Sequence, residues 1–113
     1  MISIGYRFKT SGAVVLATAP ADKDSIIVLC KQRYAVHQPY ITGRVYVTQL
    51  PHPEEWNNGT YSATVEDAVE HFIDRAMFGT ISNDQVRYLR QLIRNTEDQV
   101  VRNAQDQIGA MNA

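Results

Sequence analysis

The spacing of apolar residues changes once along this chain, and that change constrains the fold more than any other feature. Up to about residue 62 the pattern has period two, as in Ile2, Ile4, Tyr6 and Phe8 alternating with Ser3, Gly5, Arg7 and Lys9. From Thr64 onward apolar residues recur every three or four positions, as in Val65, Ala68, Val69, Phe72, Ile73, Ala76 and Met77. Strands followed by helices predict an α+β fold, an antiparallel sheet of three to five strands with helices on one face. A single domain of 1–113 is expected, divided into a sheet region (1–63), a packing helix (64–79) and a long helix (82–110).

Within the sheet region, Ile2–Phe8 reads as a first strand, Thr10-Ser11-Gly12 as a tight turn and Ala13–Ala17 as the return strand. Pro20–Asp24 has loop chemistry. Ser25–Cys30 is a β-branched run and reads as a buried strand. Tyr40–Thr48 alternates, with Val45 and Val47 on one side and Tyr46 and Thr48 on the other. Pro51 and Pro53 mark a loop, since proline cannot serve a central ladder. Asn57-Asn58-Gly59 is a turn signal, and Thr60–Ser62 a short last strand.

Both helices carry start signals. Thr64 is placed as an N-cap with Glu66 and Asp67 in the first turn, and Gly79 as the cap past a helix ending near Phe78. Ser82 and Gln85 fit a capping box. Beyond them, Val86, Leu89, Ile93, Val100, Ala104, Ile108 and Met111 lie near one stripe. A helix over 83–108 is about 39 Å long, against a diameter of about 34 Å for a domain this size. The distal half of such a helix either projects and packs on a partner or frays; self-association is expected, with Leu89, Ile93, Val100 and Ala104 as the seam.

Composition narrows the function classes. The 113 residues are 44% hydrophobic and 20% charged, with net charge -1. A nearly neutral chain is not a dedicated polyanion binder. One cysteine, Cys30, leaves no internal disulfide. No apolar run approaches the roughly 20 residues of a membrane span, and the N-terminus lacks a basic start followed by an apolar stretch. A cytoplasmic protein with no membrane contact is the expectation.

The residues that usually carry chemistry do not converge. Cys30 sits in an apolar strand run, where a thiol is inert. Asp67 and His71 share a helix face but supply two ligands where a metal needs three or four. No Gly-x-Ser-x-Gly elbow or glycine-rich phosphate loop occurs. Neither a metal nor another cofactor is expected. An enzyme using His37, His52 or His71 as general base is the weakest of three function classes, since none has an evident partner.

Two groups suit binding. Arg87, Arg90 and Arg94 fall within about 60° on a helical wheel, a stripe suited to phosphate or to an acidic partner. The competing reading is a solvated, self-paired face, with Asp84 beside Arg87 and an Arg94–Asp98–Arg102–Asp106 ladder. Tyr34, Tyr40, Tyr46, Trp56 and Tyr61 crowd the sheet region, where they serve as core, as a base-stacking platform or as a protein interface. Tyr40, Tyr46 and Trp56 join the three arginines as candidate partner- or nucleic-acid-binding residues.

The segment Gly59-Thr60-Tyr61-Ser62-Ala63-Thr64-Val65-Glu66-Asp67-Ala68, leading into Phe72 and Ala76, resembles the strand-to-helix junction of ethylene-response-factor-type DNA-binding domains. That resemblance implies a three-stranded sheet reading the major groove, with Tyr40–Thr48 as the preceding strand. Here one residue more separates Tyr61 from Thr64, and only Lys31, Arg33 and Arg44 stand for the basic sheet face. In organisation the chain is similar to small phage and mobile-element accessory proteins, anti-CRISPR inhibitors among them, which cover a surface of a larger machine. The leading expectation is a non-enzymatic inhibitor or adaptor of a larger host protein or nucleoprotein. The alternative is a nucleic-acid-binding protein using the tyrosine-bearing sheet and the arginine stripe.

Overall fold

The computed structural model describes residues 2–32 and 35–95. Arg33, Tyr34 and residues 96–113 lie outside them, and with them Val100, Ala104, Ile108 and the Asp98, Arg102 and Asp106 rungs of the charge ladder. Four strands form one antiparallel sheet in sequence order: β1 (Val14–Asp22), β2 (Ser25–Lys31), β3 (Tyr40–Tyr46) and β4 (Asn57–Ser62). Two helices follow, α1 (Val65–Arg75) and α2 (Asn83–Arg94). The class is α+β.

β2 explains why the core has two halves. Its β-branched run is buried from Ser25 to Cys30 because both faces of the sheet are covered. Ile27 and Leu29 point to the helix side, where they meet Leu16, Tyr40, Phe72, Leu89 and Leu92. Ile26, Val28 and Cys30 point the other way, to a second cluster with Ile2, Phe8 and Val45.

That second cover corrects the expected first strand. Ile2–Phe8 is not a strand; among the described residues it makes one isolated bridge, Arg7 to Val14, beside a few backbone hydrogen bonds to 13–15. Gly5 takes φ of 91° and the Tyr6 N–H donates to Ser3 O at 3.0 Å, which folds the alternating run into a turn. Ile2 and Phe8 are buried all the same, and Ile4 and Tyr6 are half-buried. The turn at Thr10–Gly12 forms as expected, with Gly12 at φ 75°.

β1 runs further than expected, through Pro20 to Asp22, and leaves a two-residue turn at Lys23-Asp24. Proline is tolerated because β1 is an edge strand. The edge is closed by hydrogen bonds from elsewhere in the chain. Gly5 N donates to Val15 O (2.7 Å), Tyr88 Oη to Leu16 O (2.6 Å), Gln85 Nε2 to Thr18 O (2.6 Å) and Met77 N to Pro20 O (2.7 Å). Gln85 therefore spends its amide on β1 instead of reaching back in a capping box. Ser82 still caps α2, accepting from Gln85 N at 3.1 Å.

β3 ends at Tyr46 and turns into one 3₁₀ turn at Val47–Gln49, so Val47 is exposed where Val45 is buried. Asn57-Asn58-Gly59 is not a turn between strands but the start of β4. The positive φ that the triplet suggested is there, at Asn58 (51°), where the β3–β4 register shifts.

Thr64 caps α1, accepting from Asp67 N at 3.2 Å. The helix stops at Arg75, not Phe78, because Ala76 turns extended and the Met77 N–H leaves for β1. Gly79, at φ 80°, belongs to the connection instead of capping the helix. α2 closes at Arg94, with Asn95 extended, so the described chain contains a 12-residue helix and not the long one expected. Leu89 and Leu92 are its buried anchors, at 2% and 1% exposure. Burial of each contributes about 1.5–3 kcal/mol.

Candidate arginine face of the second helix

The stripe that buries α2 decides what its other side presents. Gln85, Tyr88, Leu89 and Leu92 turn inward at spacings of three and four. Arg87, Arg90 and Arg94 then point away from the sheet, all exposed. They line an open groove of about 470 Å³ together with Gln91 and Asn95. Arg87 Nη1 lies 3.4 Å from Asp84 Oδ1, with side-chain exposures of 78% and 91%. An ion pair that exposed contributes little to stability. Arg90 and Arg94 have no carboxylate partner among the described residues. At one end of the groove, Asn95 Nδ2 is shielded from solvent and donates to nothing among the described residues.

The groove is open and is lined by three arginines and two side-chain amides from α2 and its C-cap residue, with their aliphatic stems exposed beside the polar ends. Small-molecule sites are usually enclosed and mostly apolar. Guanidinium groups offer planar, paired donors to carboxylates or phosphates. The arrangement suits docking of an anionic surface.

The aromatic candidates do not join this face. Tyr40 is 1% exposed and belongs to the core between sheet and helices, so it cannot stack on a ligand. Trp56 is not in an exposed loop. It lies across the sheet on the side away from the helices, edge-on to Phe8 with ring centroids 5.4 Å apart. A Cβ at Gly43 would stand 2.8 Å from Trp56 Cβ, so only glycine admits the ring there. Tyr46 is 39% exposed at the end of β3, whereas α2 lies along β1 at the far edge of the sheet. Of the expected seam, Leu89 is consumed by the molecule's own core, Ile93 is 36% exposed, and Val100 and Ala104 lie outside the described residues.

The residues considered for catalysis are scattered. His37 and His71 are exposed on different elements, and His52 stacks on Tyr6 with ring centroids 6.3 Å apart. Burial pushes the Cys30 thiol well above its usual range. No group of three or more His, Cys, Asp or Glu able to hold a metal occurs among the described residues. No described helix is long and apolar enough to cross a membrane.

A feature that sequence reading passed over stands beside the arginines. On α1, Asp67, Glu70 and Asp74 are exposed opposite the buried Ala68, Val69 and Phe72. Their spacing of three and four is the same as that of Arg87, Arg90 and Arg94. Asp67 had been weighed only as a helix-dipole partner and a metal ligand, which hid the ridge. The chain matches no family model, no curated protein and no solved structure.

Proposed function

We propose that this is a non-enzymatic binding protein whose α2 arginine face covers an acidic surface of a larger protein, as an inhibitor or adaptor of the kind small phage and mobile-element proteins supply. The observation that carries the reading is that Arg87, Arg90 and Arg94 line one groove while contributing nothing to the core. Three exposed guanidiniums on one helix repel each other, and a partner carboxylate relieves that cost.

Nucleic acid draws on the same arginines but fits less well. The sheet tyrosines give it no platform, since Tyr40 is buried. A long polyanion on α2 would also pass the carboxylates of α1, which packs against α2. A discrete acidic patch avoids them.

The test is capture from nuclease-treated host lysate, comparing the wild type with R87E/R90E/R94E. A partner retained after nuclease and lost from the variant supports the reading. Loss of every partner on nuclease treatment, or equal capture by the variant, overturns it.

A further inference from the structure

The two helices present outward ridges of opposite sign and equal spacing. Asp67, Glu70 and Asp74 on α1, and Arg87, Arg90 and Arg94 on α2, each fall at i, i+3 and i+7. Each ridge covers about 10 Å of helix. The helices are neighbours on the same side of the sheet. The helix layer thus carries an acidic ridge on one helix and a basic ridge on its neighbour.

From this we infer that the helix layer is a self-complementary interface, and that in the free protein, before a larger partner displaces it, the acidic surface seated on the arginine groove is α1 of a second copy of this chain. The inference rests on the reading of α2 as an anion-docking face and names its occupant. Homodimers are usually built on a two-fold axis, in which each patch of one copy meets the complementary patch of the other. An axis running between α1 and α2 sets α1 of one copy on α2 of its partner and α2 on the partner's α1. The acidic ridge then faces the partner's basic ridge at both contacts, whereas pairing α1 with α1 and α2 with α2 sets like on like.

The apolar residues of the layer agree with this. Ile73 on α1 is 46% exposed, Ile93 on α2 is 36% exposed, and Phe78 in the connection stands fully out in solvent. Ile73 follows Glu70 by three positions and Ile93 follows Arg90 by three, so each lies on the turn next to a ridge charge. Apolar groups beside matched charges are what a protein interface presents. This pairing keeps Ile93 of the expected seam, whose Val100 and Ala104 lie outside the described residues. Leu89 is unavailable, and the contact lies within residues 67–94.

The test is a charge swap read as solution mass by sedimentation equilibrium, with circular dichroism confirming that each variant is folded. The wild type is expected to be a dimer at low salt and to shift toward monomer at high salt, since exposed charge pairs are screened. E70K/D74K places like charges at both contacts and is expected to be monomeric. R90E/R94E is expected to be monomeric for the same reason. Mixing the two variants restores opposite charges at both contacts, and the mass is expected to double. A wild type that stays monomeric, or a mixture that remains monomeric, overturns the inference. Should R87E/R90E/R94E nevertheless lose its lysate partner in such a case, the docking role of the arginines stands and only the self-pairing falls.

Discussion

α1 and α2 are built almost alike and end up chemically opposite. They have 11 and 12 residues, a Thr or Ser N-cap bonded to the third residue, and an inward stripe that packs on the same face of the same sheet. Yet α1 turns Asp67, Glu70 and Asp74 to solvent where α2 turns Arg87, Arg90 and Arg94. The inward stripe and the caps fix where each helix sits. The outward ridge has no such duty, so its charge is free to be set by what the surface meets.

The comparison breaks most visibly through the inward stripes. Phe72→Ala in α1 and Leu89→Ala in α2 are each expected to cost about 3–5 and 2–5 kcal/mol respectively in urea denaturation. A cost below 1 kcal/mol at Leu89 would mean that α2 is merely laid on the surface. The next effect separates the helices. Of the two helices, α2 is the one whose side chains help to close the free edge of β1, through Gln85 Nε2 on Thr18 O and Tyr88 Oη on Leu16 O, each at 2.6 Å. Tyr88→Phe leaves a buried carbonyl without its donor and is expected to cost about 1–3 kcal/mol.

Burial also pushes the Tyr88 pKa up to about 12. A phenol whose folded pKa is raised favours the folded state at neutral pH, and that contribution is lost as pH rises through the folded value. Tyrosinate absorbance in an alkaline titration is expected to show Tyr88 ionising after the exposed tyrosines. Its ionisation together with them would show the hydroxyl to be open to water.

Smaller effects test the likeness. Thr64→Ala and Ser82→Ala remove equivalent caps and are each expected to cost about 1 kcal/mol. The smallest test the ridges themselves: Glu70→Ala and Arg90→Ala are expected to leave stability within about 0.5 kcal/mol. A larger loss at Arg90 would assign it a structural partner.

Much of this frame could be read from the sequence, and the failures have identifiable causes. Thr64 and Ser82 announce both helix starts because a hydroxyl before an amphipathic run satisfies amides that no turn of helix can reach. The run Ser25–Cys30 is legible because only a strand covered on both faces tolerates it. The segment 2–8 misleads because alternation reports burial as well as strand. Ile2 and Phe8 are buried, but Gly5 bends the chain where the sequence shows only one small residue between apolar ones. Pro20 suggests a loop because the pattern does not show that β1 is an edge.

The site was half legible. The arginine stripe follows from spacing alone and stands on the outside of α2, because Leu89 and Leu92 hold the opposite side in the core. Tyr40 and Trp56 were grouped with it by residue type, and type does not say which face of a sheet a side chain occupies. The acidic ridge of α1 was missed although its spacing matches that of the arginines, because Asp67 had a local explanation in the first turn and was not joined to Glu70 and Asp74.

The most direct test of the central claim, that the α2 arginine face recognises acidic protein surfaces, is an amide NMR titration of the labelled protein. A glutamate-rich peptide and a DNA duplex serve as the two ligands, at matched charge and salt. The expected result is peptide-induced shifts centred on residues 87–95, with weaker shifts for the duplex. Shifts centred on the sheet, or tighter binding of the duplex, would contradict it.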